Sequence, residues 1–296
     1  MPSFDFIAPQ SIEDAVTALA REVAGGRGVH LLAGGTDLLV YVRAELLHPE
    51  GFIDIRKLPG LNAIRDDGGH ITLGPTATYT EVIESPAFDG DLYFVKAAAL
   101  SVGGPPTRNQ GTVGGNLANA SPAADFVPPL VALDARLTLR RAEGEREMAL
   151  ESFFTGPKKT VRRPDEMITR ITIPRHPRVR GGFVKFGLRD ALAIALVNVA
   201  AVLELAPDGE TIQEVRLCLG AVAPTPVRAF SVEAKLKGAG LREGLDGLFK
   251  EAAASVASDI SPIDDIRASR EYRLAISPVV VRRALEQAAR AETARR

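Results

Sequence analysis

The chain has one cysteine (Cys218), no tryptophan, three methionines and four histidines in 296 residues. A single cysteine excludes an intrachain disulfide. It also leaves the chain unable to supply the thiolates of an iron–sulfur cluster by itself. His30, His48, His70 and His176 are scattered without metal-ligand spacing, so no metal site is expected. An excess of one charge is missing too: 36 Lys and Arg face 37 Asp and Glu, for a formal net charge of −1. That balance gives no electrostatic reason to expect nucleic acid or an anionic membrane as a partner. No apolar run approaches the ~20 residues of a transmembrane segment. The start, Met1-Pro2-Ser3-Phe4-Asp5-Phe6, lacks the basic-then-apolar layout of a signal peptide. A cytoplasmic protein is expected.

Several motifs are absent as well. There is no Gly-x-Gly-x-x-Gly between a strand and a helix, no Walker lysine, and no serine in a Gly-x-Ser-x-Gly elbow. No residue is therefore singled out as a catalytic nucleophile or acid–base group. What is present is an ordinary globular composition, 46% hydrophobic and 25% charged, in a chain long enough for two domains.

Two glycine-rich segments stand out: Ala33-Gly34-Gly35-Thr36-Asp37 and Gly111-Thr112-Val113-Gly114-Gly115-Asn116. Paired glycines allow close approach of a ligand to backbone N–H groups, and one such turn can cradle a phosphate. Two turns brought together by the fold would clamp a diphosphate. Asp37 reads either as a repulsive neighbour of a phosphate or, more simply, as a loop brace. Thr36 either donates to a phosphate or caps the next turn. Asp125 either accepts from a ligand hydroxyl or caps the helix that follows it, and Asn116 either meets the ligand or braces its turn. Lys158-Lys159 read as solvated surface.

The periodicity predicts a helix over 11–24, with Ser11 as N-cap, and a strand over 29–33. Residues 71–73 read as a strand, Thr78 as the start of a helix, and 92–102 as a helix broken by Gly103-Gly104-Pro105-Pro106. Strands are expected at 136–140 and 167–173. Residues 174–182 read as a linker. Beyond it, 197–205 and 214–219 form a hairpin around Pro207-Asp208-Gly209. Helices are expected at about 241–257 and at 278–292, the latter with Ser277 as N-cap and Pro278 at the first position.

The two glycine segments, extended to Leu32–Leu39 and Thr112–Asp125, resemble the FAD-binding medium subunit of the molybdenum hydroxylases. That family includes xanthine and carbon monoxide dehydrogenases. Phe153-Phe154-Thr155-Gly156, Pro164-Asp165-Glu166 and Ser269-Arg270-Glu271-Tyr272-Arg273 also look like family features. The resemblance implies an α+β fold. Residues 1–175 would be a two-lobed FAD-binding module of the vanillyl-alcohol-oxidase (PCMH) type, with lobes at about 1–56 and 57–175. Residues 176–296 would form a C-terminal α+β flavoprotein domain with an antiparallel sheet. It implies that Leu31, Leu32, Ala33, Gly34, Gly35, Thr36, Asp37 and Leu38 hold the pyrophosphate side of FAD. Gly111, Thr112, Gly114, Gly115, Asn116 and Ala118 would form a second wall, and Gly104 would be a further cofactor contact. Ala124, Asp125, Ile168 and Lys185 would be further contacts, with Arg189–Leu192 beside the flavin ring. It further implies partner subunits: a large one with the molybdenum cofactor and a small one with two 2Fe-2S clusters, in a dimer of heterotrimers. The lone cysteine agrees with clusters on another chain. A stand-alone FAD oxidoreductase and a non-catalytic nucleotide-binding scaffold are the competing readings.

Overall fold

The computed structural model describes residues 4–241 and 245–291. The parts of the expected segments at 1–3, 242–244 and 292 lie outside the described residues. The chain opens with a three-stranded parallel sheet in which Gly51–Asp54 is central, flanked by Asp5–Ile7 and Val29–Leu32. Helix Ile12–Ala24 covers it. Ser11 accepts from the Asp14 amide at 3.0 Å, Glu13 and Asp14 favour the helix dipole, and Ala15, Val16 and Leu19 are buried with Ile53. The strand Val29–Leu32 runs directly into the first glycine loop.

A five-stranded antiparallel sheet follows, in the order Ile64–Asp66, His70–Leu73, Met167–Pro174, Arg136–Arg141, Gly144–Ala149. Its middle strand, Met167–Pro174, returns from almost a hundred residues further along the chain to pair on both sides. The helices Tyr79–Glu84, Tyr93–Leu100 and Val127–Ala132 contribute buried residues to one core with this sheet.

The C-terminal sheet is antiparallel, with strands Val179–Gly187, Ala195–Leu205, Ile212–Gly220 and Val227–Arg228. The expected hairpin is its centre. Both faces are covered. Val197, Val199, Ala201 and Leu203 pack toward the C-terminal helices, whereas Ala200 and Val202 join the core of the antiparallel lobe. That double burial explains why 199–203 reads as a continuous apolar run rather than an alternating one.

Three expectations are corrected. Residues 174–182 are not an extended linker: only 175–178 separate two strands, and Gly181 and Gly182 lie inside the second. These glycines are packing sites. A Cβ on Gly181 would fall 2.7 Å from the Phe94 ring carbon Cγ, and one on Gly182 would fall 2.8 Å from the Ala288 amide nitrogen. Gly182→Ala is accordingly expected to destabilise the chain by about 2 kcal/mol, because the obstructing atoms are helix backbone. A urea midpoint equal to that of the parent would refute this.

The second correction concerns the last helix. It spans Arg270–Arg290, with Ser269 as N-cap and Pro278 inside it. Packing of Val280, Val281, Ala284 and Leu285 on the sheet sustains the helix through the proline. Ser277 is no cap; its hydroxyl donates to the Arg273 carbonyl at 2.6 Å. Third, the helix expected over 92–102 ends at Leu100, before Gly104-Pro105-Pro106, which instead starts another helix, Pro105–Gln110, since proline is favoured in a first turn.

Candidate functional site

The two glycine segments meet. A Cβ on Gly34 would fall 2.7 Å from the carbonyl carbon of Gln110, closer still to its oxygen, and 3.1 Å from Gly111 Cα. Gly34 is thus a point of direct backbone contact between the first lobe and the second. Gly35 has φ +71°, the left-handed conformation that glycine adopts freely. The amides of Gly34, Gly35, Thr36 and Asp37 meet no acceptor among the described residues. Successive unpaired N–H groups around a left-handed residue form an anion-binding concavity.

The second segment is built differently from the turn expected of it. Thr112 is the N-cap of helix Val113–Asn119, and Gly114 and Gly115 lie in its first turn. Most of its amides are already bonded. Val113 donates to Ala77 at 2.9 Å, Gly114 to Pro75 at 2.7 Å, Gly115 to the Thr112 hydroxyl at 3.1 Å, and Asn116 to Thr112 at 3.0 Å. Gly114 is required for packing: a Cβ there would lie 2.7 Å from the Pro75 carbonyl oxygen. This segment therefore offers side chains and a close surface, not a second amide cradle. Gly115 and Ala118 are exposed, and Asn116 Oδ1 is buried without a partner. Gly34, Gln110 and Thr112 also line a small open cleft of about 150 Å³, with Arg56, Asn62 and Glu81.

Asp37 braces the loop. Its Oδ2 accepts from Asn119 Nδ2 at 2.9 Å across the two lobes. Lys158, expected to be free surface, continues this bridge: its ammonium donates to Asn119 Oδ1 at 2.9 Å and to the Tyr41 hydroxyl at 2.7 Å. Asn119 lies within the Thr112–Asp125 motif and Tyr41 outside both motifs, and neither role was legible, because it is a matter of which loops face each other.

Asp125 does not cap the helix after it; Phe126 occupies that position and makes no side-chain cap. Asp125 instead accepts from Lys185 Nζ at 2.6 Å and Asn198 Nδ2 at 2.9 Å, and Lys185 also donates to the Ser101 carbonyl at 2.9 Å. Burial pushes the Asp125 carboxyl above the usual carboxylate range, against the pull of Lys185 and Asn198. Asn198 Oδ1 is buried and unpartnered.

The phenol of Tyr79 lies between these two constellations. It is fully buried, its ring edge faces Gly111 and Phe126, and burial followed by the charges of Asp125 and Asp37 raises it. Gly104 is buried beneath Leu192, whose side chain a Cβ at 104 would approach to 2.8 Å. This places the exposed Arg189–Leu192 loop over the break between two helices. Ile168 is buried in the core of the antiparallel lobe. Leu32 and Ala124 are buried too, while Leu31 and Leu38 are half-buried.

A diphosphate-bearing cofactor with polyhydroxylated arms fits this arrangement. The free amides of 34–37 suit the diphosphate, and the orphaned Asn116 oxygen suits a hydroxyl donor. No group of three or more His, Cys, Asp or Glu able to hold a metal occurs among the described residues. Cys218 is buried, and burial raises its thiol.

A parallel three-stranded lobe and an antiparallel five-stranded lobe thus meet at a seam lined by unbonded amides. Residues 2–176 match the family model described as the FAD binding domain in molybdopterin dehydrogenase, and 183–288 match the CO dehydrogenase flavoprotein C-terminal domain. The chain is 32% identical over 292 residues to a putative xanthine dehydrogenase FAD-binding subunit of Escherichia coli K12, covering 96% of this chain and 97% of that one. The fold is similar to that of carbon monoxide dehydrogenase from Hydrogenophaga pseudoflava, with a TM-score of 0.89, 30% identity and 97% of each chain covered. Quinoline 2-oxidoreductase from Pseudomonas putida 86 gives a TM-score of 0.88 at 25% identity, again over 97% of each chain. The chain belongs to the FAD-binding medium subunits of the molybdenum hydroxylases. It is the flavoprotein component of an oxidoreductase. Among the described residues no helix is long and apolar enough to cross a membrane.

Proposed function

We propose that this chain carries electrons from 2Fe-2S clusters on a small partner subunit to an external acceptor. A large partner, holding the molybdenum cofactor, oxidises the substrate, and the whole assembles as a dimer of heterotrimers. The observation that carries the cofactor placement is the row of unpaired amides at Gly34, Gly35, Thr36 and Asp37, seated against Gln110–Gly111. In this reading 1–175 bind the cofactor and 176–296 close the site.

Bound FAD supplies the electron-carrying chemistry, which is why no protein nucleophile or acid–base pair is needed. The amides of 34–37 neutralise diphosphate charge, with Leu31, Leu32, Ala33 and Leu38 holding that loop on its strand and helix. Gly111, Thr112, Gly114, Gly115, Asn116 and Ala118 form the opposing wall. Asn116 accepts from a hydroxyl. Lys185 and Asp125, with Ala124, Ile168 and Gly104, shape the end nearer the C-terminal sheet.

The test is composition and colour. The complex purified through this chain is expected to show flavin absorbance and to contain about four iron atoms per FAD, as two 2Fe-2S clusters require. A folded, colourless chain that takes up no FAD would refute the cofactor reading. A yellow chain that recovers alone, without a large and a small partner, and turns over a substrate would favour a stand-alone oxidoreductase.

A further inference from the structure

The bridge formed by Asp37, Asn119, Lys158 and Tyr41 is not explained by packing alone. Asp37 and Tyr41 belong to the first glycine loop and the helix after it; Asn119 and Lys158 belong to the second lobe. The Asn119 amide works in both directions. Its nitrogen donates to Asp37 at 2.9 Å and its oxygen accepts from Lys158 at 2.9 Å, so one amide links an anion to a cation. The Lys158 ammonium also lies 5.4 Å from the centre of the Tyr41 ring. The backbone holding this lysine is unusual. Lys158 has φ +60°, and its N–H donates to the carbonyl of Ala120 at 2.9 Å. Ala120 has φ +47° and ends helix Val113–Asn119. Two non-glycine residues in left-handed conformations therefore direct this side chain across the seam.

Asp37 donates one of the four free amides, yet its own carboxylate is a poor neighbour for a diphosphate. A cation tied to it through Asn119 offsets that charge and closes the seam in the same stroke. We propose that Lys158, acting through Asn119, is the latch of the cofactor slot. It compensates Asp37 beside the phosphate-binding amides, ties the two lobes across the diphosphate, and so sets how slowly FAD leaves. Lys158 is a positioning residue here, and the inference rests on the cofactor placement proposed above.

The full chain loaded with FAD, diluted and followed by the recovery of free-flavin fluorescence, tests it. Lys158→Met is expected to release FAD about tenfold faster, the factor that a lost hydrogen bond to a charged group commonly represents. Asn119→Ala, which cuts the relay, is expected to do the same. Lys158→Arg, which keeps the charge and the donors, is expected to stay near the parent. The double variant Asp37→Asn with Lys158→Met is expected to release more slowly than Lys158→Met alone, since no charge remains to be offset; a merely structural bridge would show no such rescue. Lys158 is exposed, so an unchanged circular dichroism spectrum and melting temperature are expected for Lys158→Met. Release at the parental rate from Lys158→Met, or no rescue in the double variant, overturns the latch while leaving the cofactor site standing. A parent chain that takes up no FAD overturns both.

Discussion

Gly34→Ala is expected to weaken FAD binding by at least about a hundredfold, equivalent to ~2.7 kcal/mol. The added methyl would sit 2.7 Å from the Gln110 carbonyl carbon and closer to its oxygen, where nothing flexible can give way. Gln110 ends helix Pro105–Gln110, and Gly111 is pinned in turn: its amide donates to Thr107 at 2.6 Å, and a Cβ there would meet the Tyr79 ring at 3.2 Å. The lobes must therefore move apart, and an amide cradle moved by an ångström loses its alignment with the diphosphate. The neighbouring glycines rank below it. Gly35→Ala meets chiefly the flexible Leu39 side chain and suffers from its left-handed φ, worth about 1 kcal/mol. Gly115→Ala is exposed and meets only the Thr112 hydroxyl. Flavin titration by fluorescence quenching measures all three. Equal affinity for Gly34→Ala and Gly115→Ala would show that the seam is not where the cofactor lies.

Lys185→Met should destabilise even the flavin-free chain, by about 3 kcal/mol at neutral pH. Removing one partner of a buried pair leaves the other charge uncompensated, at roughly 3–5 kcal/mol. The lower end applies because the pair retains some exposure, 13% for the Lys185 side chain and 10% for that of Asp125. The pH dependence identifies the cause. Burial already raises Asp125 above its unfolded value, and loss of Lys185 removes the main opposing influence. A carboxyl whose folded pKa is raised contributes stability below its unfolded pKa and loses it as pH rises through the folded one. The deficit of Lys185→Met is therefore expected to be widest at neutral pH and to close on acidification into the raised carboxyl range. Combining it with Asp125→Ala should recover part of the loss, because no buried charge is then left alone. Urea unfolding of the apo chains at several pH values decides this. A deficit independent of pH would assign the effect to packing instead.

Both expectations turn on residues that the sequence marks without showing which protein groups they meet. Gly34 and Gly114 stand out as glycines, and close approach is the correct reason. The approaching group is protein backbone, Gln110 in one case and Pro75 in the other. Asp125 stands out as a carboxylate among small residues, but its partners Lys185 and Asn198 lie 60 and 73 residues away, beyond any local pattern. Gly181-Gly182 resemble a flexible linker for the same reason that they are indispensable in a strand: neither Phe94 nor the last helix leaves room for a side chain. Ser277-Pro278 resembles a helix start, and only tertiary packing carries the helix through it.

The amino-acid sequence by itself determined the locally encoded parts. The Ser11-capped helix, the strand leading into Gly34 and the 197–205 hairpin strand rest on periodicity and capping, which act over a few residues. It also determined, through a single cysteine, that iron–sulfur clusters cannot be held by this chain alone. Tertiary structure alone decided that the two glycine segments touch, and that the first keeps a row of four free amides. It likewise decided that Lys158 reaches across the seam to Asn119. Those outcomes depend on which groups face each other over separations of 39 to 82 residues, and on which hydrogen-bonding groups the fold has already paired.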